Sequence, residues 1–244
     1  MACGGTSGKA CYALKKDKWV EQGEFSGSLG SDQLDPAVAS MSTGTFVFGE
    51  TTSQIMKKGS GQWVAGPTPH REGTFKKACA AKISEEELLV MGGYPRDKYG
   101  KKVFKYNVQD KSWTKMDDLK TARYHHSCAM FQDGPSSYVL VAGGHDGSAY
   151  LSSTEIYYFN GTSVEGKPMN KARAWFSLKF IDTPKPRLYA IGGSTGSEYL
   201  NDVEFWDSSQ TWTYTSRKMT SKKREIGSLV VPKSMLSDYC EPKN

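Results

Sequence analysis

The chain has 244 residues, 37% apolar and 12% aromatic, with a formal net charge of +6. That length admits one large all-β domain or two small ones, and the apolar fraction is ample for a core. The charge is mild and unpatterned, which argues against nucleic acid as a partner, and no run of about 18 apolar residues is present to cross a membrane as a helix. The N-terminus shows no charged-then-apolar leader, and 25 glycines with 10 prolines fit turns rather than disorder, because apolar runs return between them.

Glycine doublets punctuate the chain. Gly4-Gly5 comes first, directly after Cys3, and is followed by Tyr12 and Trp19. A degenerate Gly49-Glu50 is followed by Trp63. Leu88 to Met91 then runs into Gly92-Gly93, followed by Tyr106 and Trp113. Tyr138 to Ala142 runs into Gly143-Gly144, followed by Tyr157, with Ser163-Val164 where a Trp is expected. Leu188 to Ile191 runs into Gly192-Gly193, followed by Phe205 and Trp212. The spacings of 45, 43, 51 and 49 residues predict one four-stranded unit repeated. In each unit the apolar run is an inner strand buried between neighbouring sheets, and the glycines after it let the adjacent unit approach closely. The aromatic marks strand three and the indole strand four, so the unit without a Trp should be the least well packed. Loops are expected at 26–35, 57–61, 94–102 and 133–137, and Ser84 to Glu87 reads as a charged hairpin turn.

An earlier strand precedes the later doublets, introduced by Asp118-Leu119-Lys120-Thr121-Ala122-Arg123 and by Pro168-Met169-Asn170-Lys171-Ala172-Arg173. Met219-Thr220-Ser221-Lys222-Lys223-Arg224 repeats that introduction, yet no doublet follows. Residues 225–231 are therefore expected to be an orphan strand that completes the first unit and hides two sheet edges. The order of doublet, aromatic and indole resembles the kelch repeat family over nearly the whole chain. The resemblance implies an all-β, kelch-type β-propeller, a single domain over 1–244, with five four-stranded blades closed by the C-terminal strand. A truncated six-bladed ring is the alternative.

Five cysteines are present. Cys3 ends one strand and Cys11 begins the next across a short turn, where a bridge fits the geometry. Cys79 and Cys128 stand in corresponding places of consecutive units and could also pair, leaving Cys240 over; free buried thiols satisfy the sequence equally well. Cys-Gly-Gly followed by Cys-Tyr looks like secreted arthropod kelch-type proteins, which implies an extracellular location, with a cytoplasmic one as the alternative. Asn160-Gly161-Thr162 is a glycosylation sequon on an expected loop.

In kelch propellers the loops after the doublets and those leading into each inner strand share the face around the central channel. Carried over residue by residue, that face takes Arg71, Tyr94, Arg96, Arg123, Tyr124, His125, His145, Arg173, Trp175 and Arg224. Arg beside Tyr and Trp is the composition of binding hot spots, and clustered Arg favours carboxylates or phosphates. The resemblance leaves a second reading for each Arg, a tie between loops through backbone carbonyls. No catalytic residue, metal site or cofactor is assigned: His125 and His126 point to opposite faces of a strand, and no phosphate loop or nucleophile elbow occurs. The expected function is a non-catalytic module that binds an acidic protein or peptide. The alternatives are a kelch-type enzyme such as a sialate mutarotase or copper oxidase, and an intracellular actin-binding or ubiquitin-ligase adaptor protein.

Overall fold

Each repeat alternates short strands with glycine-bearing turns, and in the structure each becomes an antiparallel sheet. A computed structural model describes residues 37–222, less 51, 59, 61, 69, 71–74, 183 and 217, together with the backbone of 2–3, 10–15 and 18–24. The N-terminal sheet has three strands, β1 (Ala2–Cys3), β2 (Ala10–Lys15) and β3 (Lys18–Glu24), with Cys3 opposite Cys11. Blade 1 holds β4 (Ala37–Met41), β5 (Gly44–Phe48), β6 (Ser53–Lys57) and β7 (Trp63–Ala65). Blade 2 holds β8 (Cys79–Lys82), β9 (Glu87–Met91), β10 (Val103–Asn107) and β11 (Ser112–Lys115), with α1 (Arg96–Tyr99) between β9 and β10. Blade 3 holds β12 (Ser127–Asp133), β13 (Ser136–Ala142), β14 (Thr154–Tyr157) and β15 (Ser163–Gly166). Blade 4 holds β16 (Ser177–Ile181), β17 (Arg187–Ile191), β18 (Val203–Trp206) and β19 (Trp212–Tyr214). Every blade is a meander in sequence order, and β4, β8, β12 and β16 adjoin their neighbours in turn, as the innermost strands of a β-propeller do. The apolar runs before the doublets are the second strands, one place out from the axis. The expected closing strand at 225–231 and the side chains of Cys3 and Cys11 lie outside the described residues.

Between blades the core is apolar on both sides. Phe46 and Phe48 of blade 1 pack against Phe75, Phe104 and Tyr106 of blade 2. Cys79, Leu89 and Met91 of blade 2 meet Cys128, Val139, Val141 and Tyr157 of blade 3. Tyr138, Leu140 and Ile156 of blade 3 meet Leu188, Trp206 and Trp212 of blade 4. The doublets allow these seams to close. Gly144 has φ of 93°, its amide donates to the Arg173 carbonyl at 2.8 Å, and a Cβ there would lie 2.7 Å from the Tyr124 carbonyl oxygen. Any larger residue there would collide with its own blade's lead-in, and at Gly143 a Cβ would strike the Arg173 carbonyl and Phe176 of the next blade.

Three expectations change in the structure. The aromatic of blade 4 that fills the seam is Trp206, fully buried, its indole N–H donating to the Tyr138 hydroxyl at 2.9 Å; Phe205 faces the other way, beneath the Arg187 guanidinium at 3.9 Å. Strand side chains alternate, so a one-residue offset moves a ring to the opposite face. Cys79 and Cys128 do form a disulfide across 49 residues, but from unlike places: Cys79 pairs with Met91, beside its doublet, whereas Cys128 pairs with Val141, one residue further in. Identical places would aim both thiols the same way around the ring; the offset aims them at each other. Finally, the seam beside the missing Trp is not loose. Val164 stands in that slot 44% exposed, yet Val139, Val141 and Tyr157 are fully buried and the Tyr157 hydroxyl donates to the Asp117 carbonyl at 2.7 Å. Burial, then the charges of Asp117 and Asp118, hold the Tyr157 phenol well above its usual range.

Candidate ligand-binding face

Two of the arginines expected on the face are beneath it. Arg123 and Arg173 are 0% exposed. Arg123 donates to the Gly143 carbonyl at 2.8 Å and the Ser153 carbonyl at 3.2 Å, and pairs with Glu155 at 3.2 Å. Glu155 in turn accepts from the Lys120 and Thr121 amides at 2.8 and 2.9 Å, which fastens the loop leading into β12. Arg173 repeats the pattern with the Gly192 carbonyl at 2.9 Å and Glu204 at 2.6 Å, and Glu204 accepts from the Asn170 amide at 2.9 Å. Burial lowers both guanidinium pKa values, and the partner carboxylate opposes it, so both stay charged. Their charge is consumed inside each blade, where a doublet carbonyl and a carboxylate converge, and neither reaches a ligand. Arg71, Arg224 and the side chain of Arg96 lie outside the described residues; the backbone of Arg96 opens α1, a turn of helix in what the sequence suggested was loop.

The aromatic members do come together. Tyr124 meets His145 at 5.4 Å between ring centroids, His145 meets Tyr150 at 4.9 Å, Tyr150 meets Trp175 at 5.9 Å, Trp175 meets His125 at 4.3 Å, and His125 returns to Tyr124 at 5.2 Å. Tyr94, 39% exposed, extends this closed ring from blade 2 by an edge contact with Tyr124 at 5.4 Å. The Tyr124 hydroxyl lies 3.1 Å from His145 Nδ1, which also accepts the Gly147 amide at 2.8 Å, so the tautomer with Nε2 protonated fits both bonds. Asp146 caps the same turn through the Ser148 and Ala149 amides, both at 2.8 Å.

The backbone beneath these rings is unusual in one respect. Lys77, His125 and Trp175 occupy the same place ahead of the inner strands of blades 2, 3 and 4, and all three have left-handed backbones, φ 58°, 53° and 53°. For a side chain that large the conformation costs on the order of 1 kcal/mol or more. It is held by bonds running from blade to blade: the His125 amide donates to the Lys77 carbonyl and the Trp175 amide to the His125 carbonyl, each at 3.0 Å. Lys77 brings its ammonium over Tyr94 at 5.0 Å and Tyr124 at 5.9 Å, and Lys76 lies 5.7 Å from Tyr94 and 3.7 Å from Glu50.

Lys77 and Tyr150 were not singled out by the sequence reading. A signal exists for Tyr150, since Tyr150-Leu151 recurs as Tyr199-Leu200 at the same distance from the doublet. Lys77 is matched to His125 only by strand pairing, Cys79 with Met91 against Ser127 with Ala142, because the hairpins between these strands and their doublets differ in length. Clefts of about 400 Å³, beside the Lys102–Asp118 pair, and about 380 Å³, beside Lys171, Lys218 and Asp202, share no residue with the aromatic ring. In the first Lys102 pairs with Asp118 at 2.7 Å, and in the second Lys171 and Lys218 pair with Asp202 at 2.9 and 2.8 Å. Among the described residues no group of three or more His, Cys, Asp or Glu is arranged to hold a metal ion. Asn160 is exposed in the β14–β15 turn, its Oδ1 accepting from the Thr162 amide at 3.0 Å and hydroxyl at 2.8 Å.

Consecutive four-stranded meanders, inner strands in contact and doublets at each seam define a β-propeller built from repeats of about 50 residues. The Kelch motif matches residues 183–219, and kelch-bearing relatives match over about half the chain, so the repeats resemble kelch repeats. Kelch-like protein 36 of Rattus norvegicus is 28% identical over 126 residues, which is 50% of this chain and 19% of that protein. Alpha-scruin of Limulus polyphemus is 38% identical over 121 residues, 46% of this chain and 11% of that protein. The chain thus spans less than a fifth of the length of these relatives. A solved structure, that of YjhT, superposes with a TM-score of 0.61 at 14% identity, covering 77% of this chain and 66% of its own, and shares the fold.

Proposed function

We propose that this chain is a non-catalytic binding module that takes a protein or peptide, acidic in character, on the loop face of blades 2 to 4. The observation that carries this reading is the closed ring of Tyr124, His145, Tyr150, Trp175 and His125, with Tyr94 and Lys77 at its edge. Rigid rings contributed by different blades offer contact area at low ordering cost, and a propeller holds them in register without a moving part. Kinship with a kelch-like protein and the scruins supports a binding module over a catalyst. The inter-blade disulfide and the exposed Asn160 sequon support an extracellular setting with a glycan at that asparagine.

A photo-crosslinking residue placed at Tyr94, and for comparison at Glu165 on the outer strand β15, tests the reading in extract from the source tissue. The expected outcome is a discrete protein adduct from position 94 alone. Equal adducts from both positions, or none from position 94, would overturn it.

A further inference from the structure

We infer that Lys77 is the carboxylate-receiving point of the face, and that the His125–Trp175 stack beside it receives a flat or aliphatic side chain, so that the ligand is a peptide segment in which an Asp or Glu neighbours an apolar residue. The inference rests on the reading of this face as peptide-binding and narrows it to a residue class. Three observations carry it. Lys77 is half-buried over two tyrosine rings, which hold its ammonium in place, and it has no carboxylate partner among the described residues, whereas Lys76 has Glu50. Among the described arginines expected on the face, Arg123 and Arg173 are sealed beneath it by Glu155 and Glu204 and do not compete for an anion. Left-handed backbone recurs at this one place in three successive blades, where it carries a cation, an imidazole and an indole rather than glycine, while Lys111 and Gln210 adopt it in the turns between outer strands. Strain of this kind persists where surrounding structure enforces it and commonly marks a ligand clamp.

Partial neutralisation by ring faces leaves an ammonium less hydrated than a free lysine, so a carboxylate displaces less water in reaching it. The link between Lys77 and His125 through a backbone hydrogen bond, repeated between His125 and Trp175, sets the three residues side by side across successive blades, so that neighbouring residues of one peptide meet the charged point and the apolar stack.

The full chain, immobilised, is panned against a random peptide library, in parallel with Lys77→Asn, Lys77→Arg and Trp175→Asn. Asparagine tolerates the left-handed backbone, so these variants remove a side chain without adding strain; thermal melting confirms that each is folded. Wild type is expected to enrich Asp or Glu at one position at least tenfold, beside an apolar position. Lys77→Asn should lose the acidic preference and Lys77→Arg retain it. Trp175→Asn should keep the acidic preference and lose the apolar one. Enrichment of peptides without an acidic position, or an unchanged preference in Lys77→Asn, overturns the inference while leaving the face peptide-binding. No enrichment by the wild type overturns both.

Discussion

Blade 2 and its two successors fill one place in the fold with opposite chemistry. In blades 3 and 4 the residue before the inner strand is an arginine, buried against a glutamate on the third strand: Arg123 with Glu155, Arg173 with Glu204. In blade 2 the doublet register puts Phe75 and Phe104 in those positions, fully buried and edge to face at 6.2 Å. The phenylalanines continue an aromatic core, Phe75 packing on Trp113 at 5.0 Å and Phe104 on His70 at 4.6 Å. The ion pairs instead gather loop amides and doublet carbonyls. A propeller blade therefore does not need a buried salt bridge at this point; it needs the volume filled and any buried charge there paired. Continuum reasoning agrees, since apolar residues of similar volume often match a buried pair while loss of one partner is severe.

The largest expected effect tests that equivalence. Arg173→Ala should cost about 3–5 kcal/mol in urea unfolding, because Glu204 is left buried without its cation. Replacing both partners, Arg173→Met with Glu204→Leu, should recover a large part of the loss. A single mutant within 1 kcal/mol of wild type, or a double mutant no better than the single, would break the comparison.

Next in size is the seam between these two kinds of blade. The Cys79–Cys128 disulfide stands there, and Cys79→Ser with Cys128→Ser should lower stability by about 2–4 kcal/mol, as expected for closing a loop of this length. Reductant should lower the wild type by a similar amount and leave the double mutant unchanged; a reductant effect on the mutant would assign the loss elsewhere.

The same seam should respond to acid. His126 is buried where a Cβ on Gly92 would touch it, and burial chiefly, then the charges of Arg123 and His125, holds its imidazole well below the ordinary histidine range. A folded pKa below the unfolded one means stability is complete above about pH 6.5 and is lost as pH falls below it, by up to about 1.4 kcal/mol per unit until the folded pKa is reached. Urea midpoints at pH 7.5, 6.5 and 5.5 should show that slope in wild type and a shallower one in His126→Leu. Parallel slopes would remove His126 as the cause.

Smallest of all should be the exposed pairs outside the seams. Lys102→Ala, which frees Asp118, should change stability by less than about 1 kcal/mol, and that change should vanish in 1 M salt. A larger, salt-independent loss would show that the cleft beside it contributes packing as well as charge.

The repeat was legible without coordinates because glycine doublets and apolar runs are local demands: only glycine permits the close backbone approach seen at Gly144, and only a doubly buried strand is apolar on both faces, as Val139 and Leu140 are. The sequence alone thus determined the all-β propeller class, the strand order within each blade and the seams where rings would pack. It also brought Tyr124, His125, His145 and Trp175 to one face through their places relative to the doublets. It could not decide orientation, because a period of two turns a one-residue uncertainty into a change of face; that is how Phe205 stood in for Trp206 and how the two cysteines came to look equivalent. Nor could it tell a rim arginine from a buried one. Arg123 and Arg173 precede their strands as rim residues would, and only the folded chain brings Glu155 and Glu204, about thirty residues later, within reach of them. Burial of a charge is decided by its partner, and the partner arrives through tertiary structure.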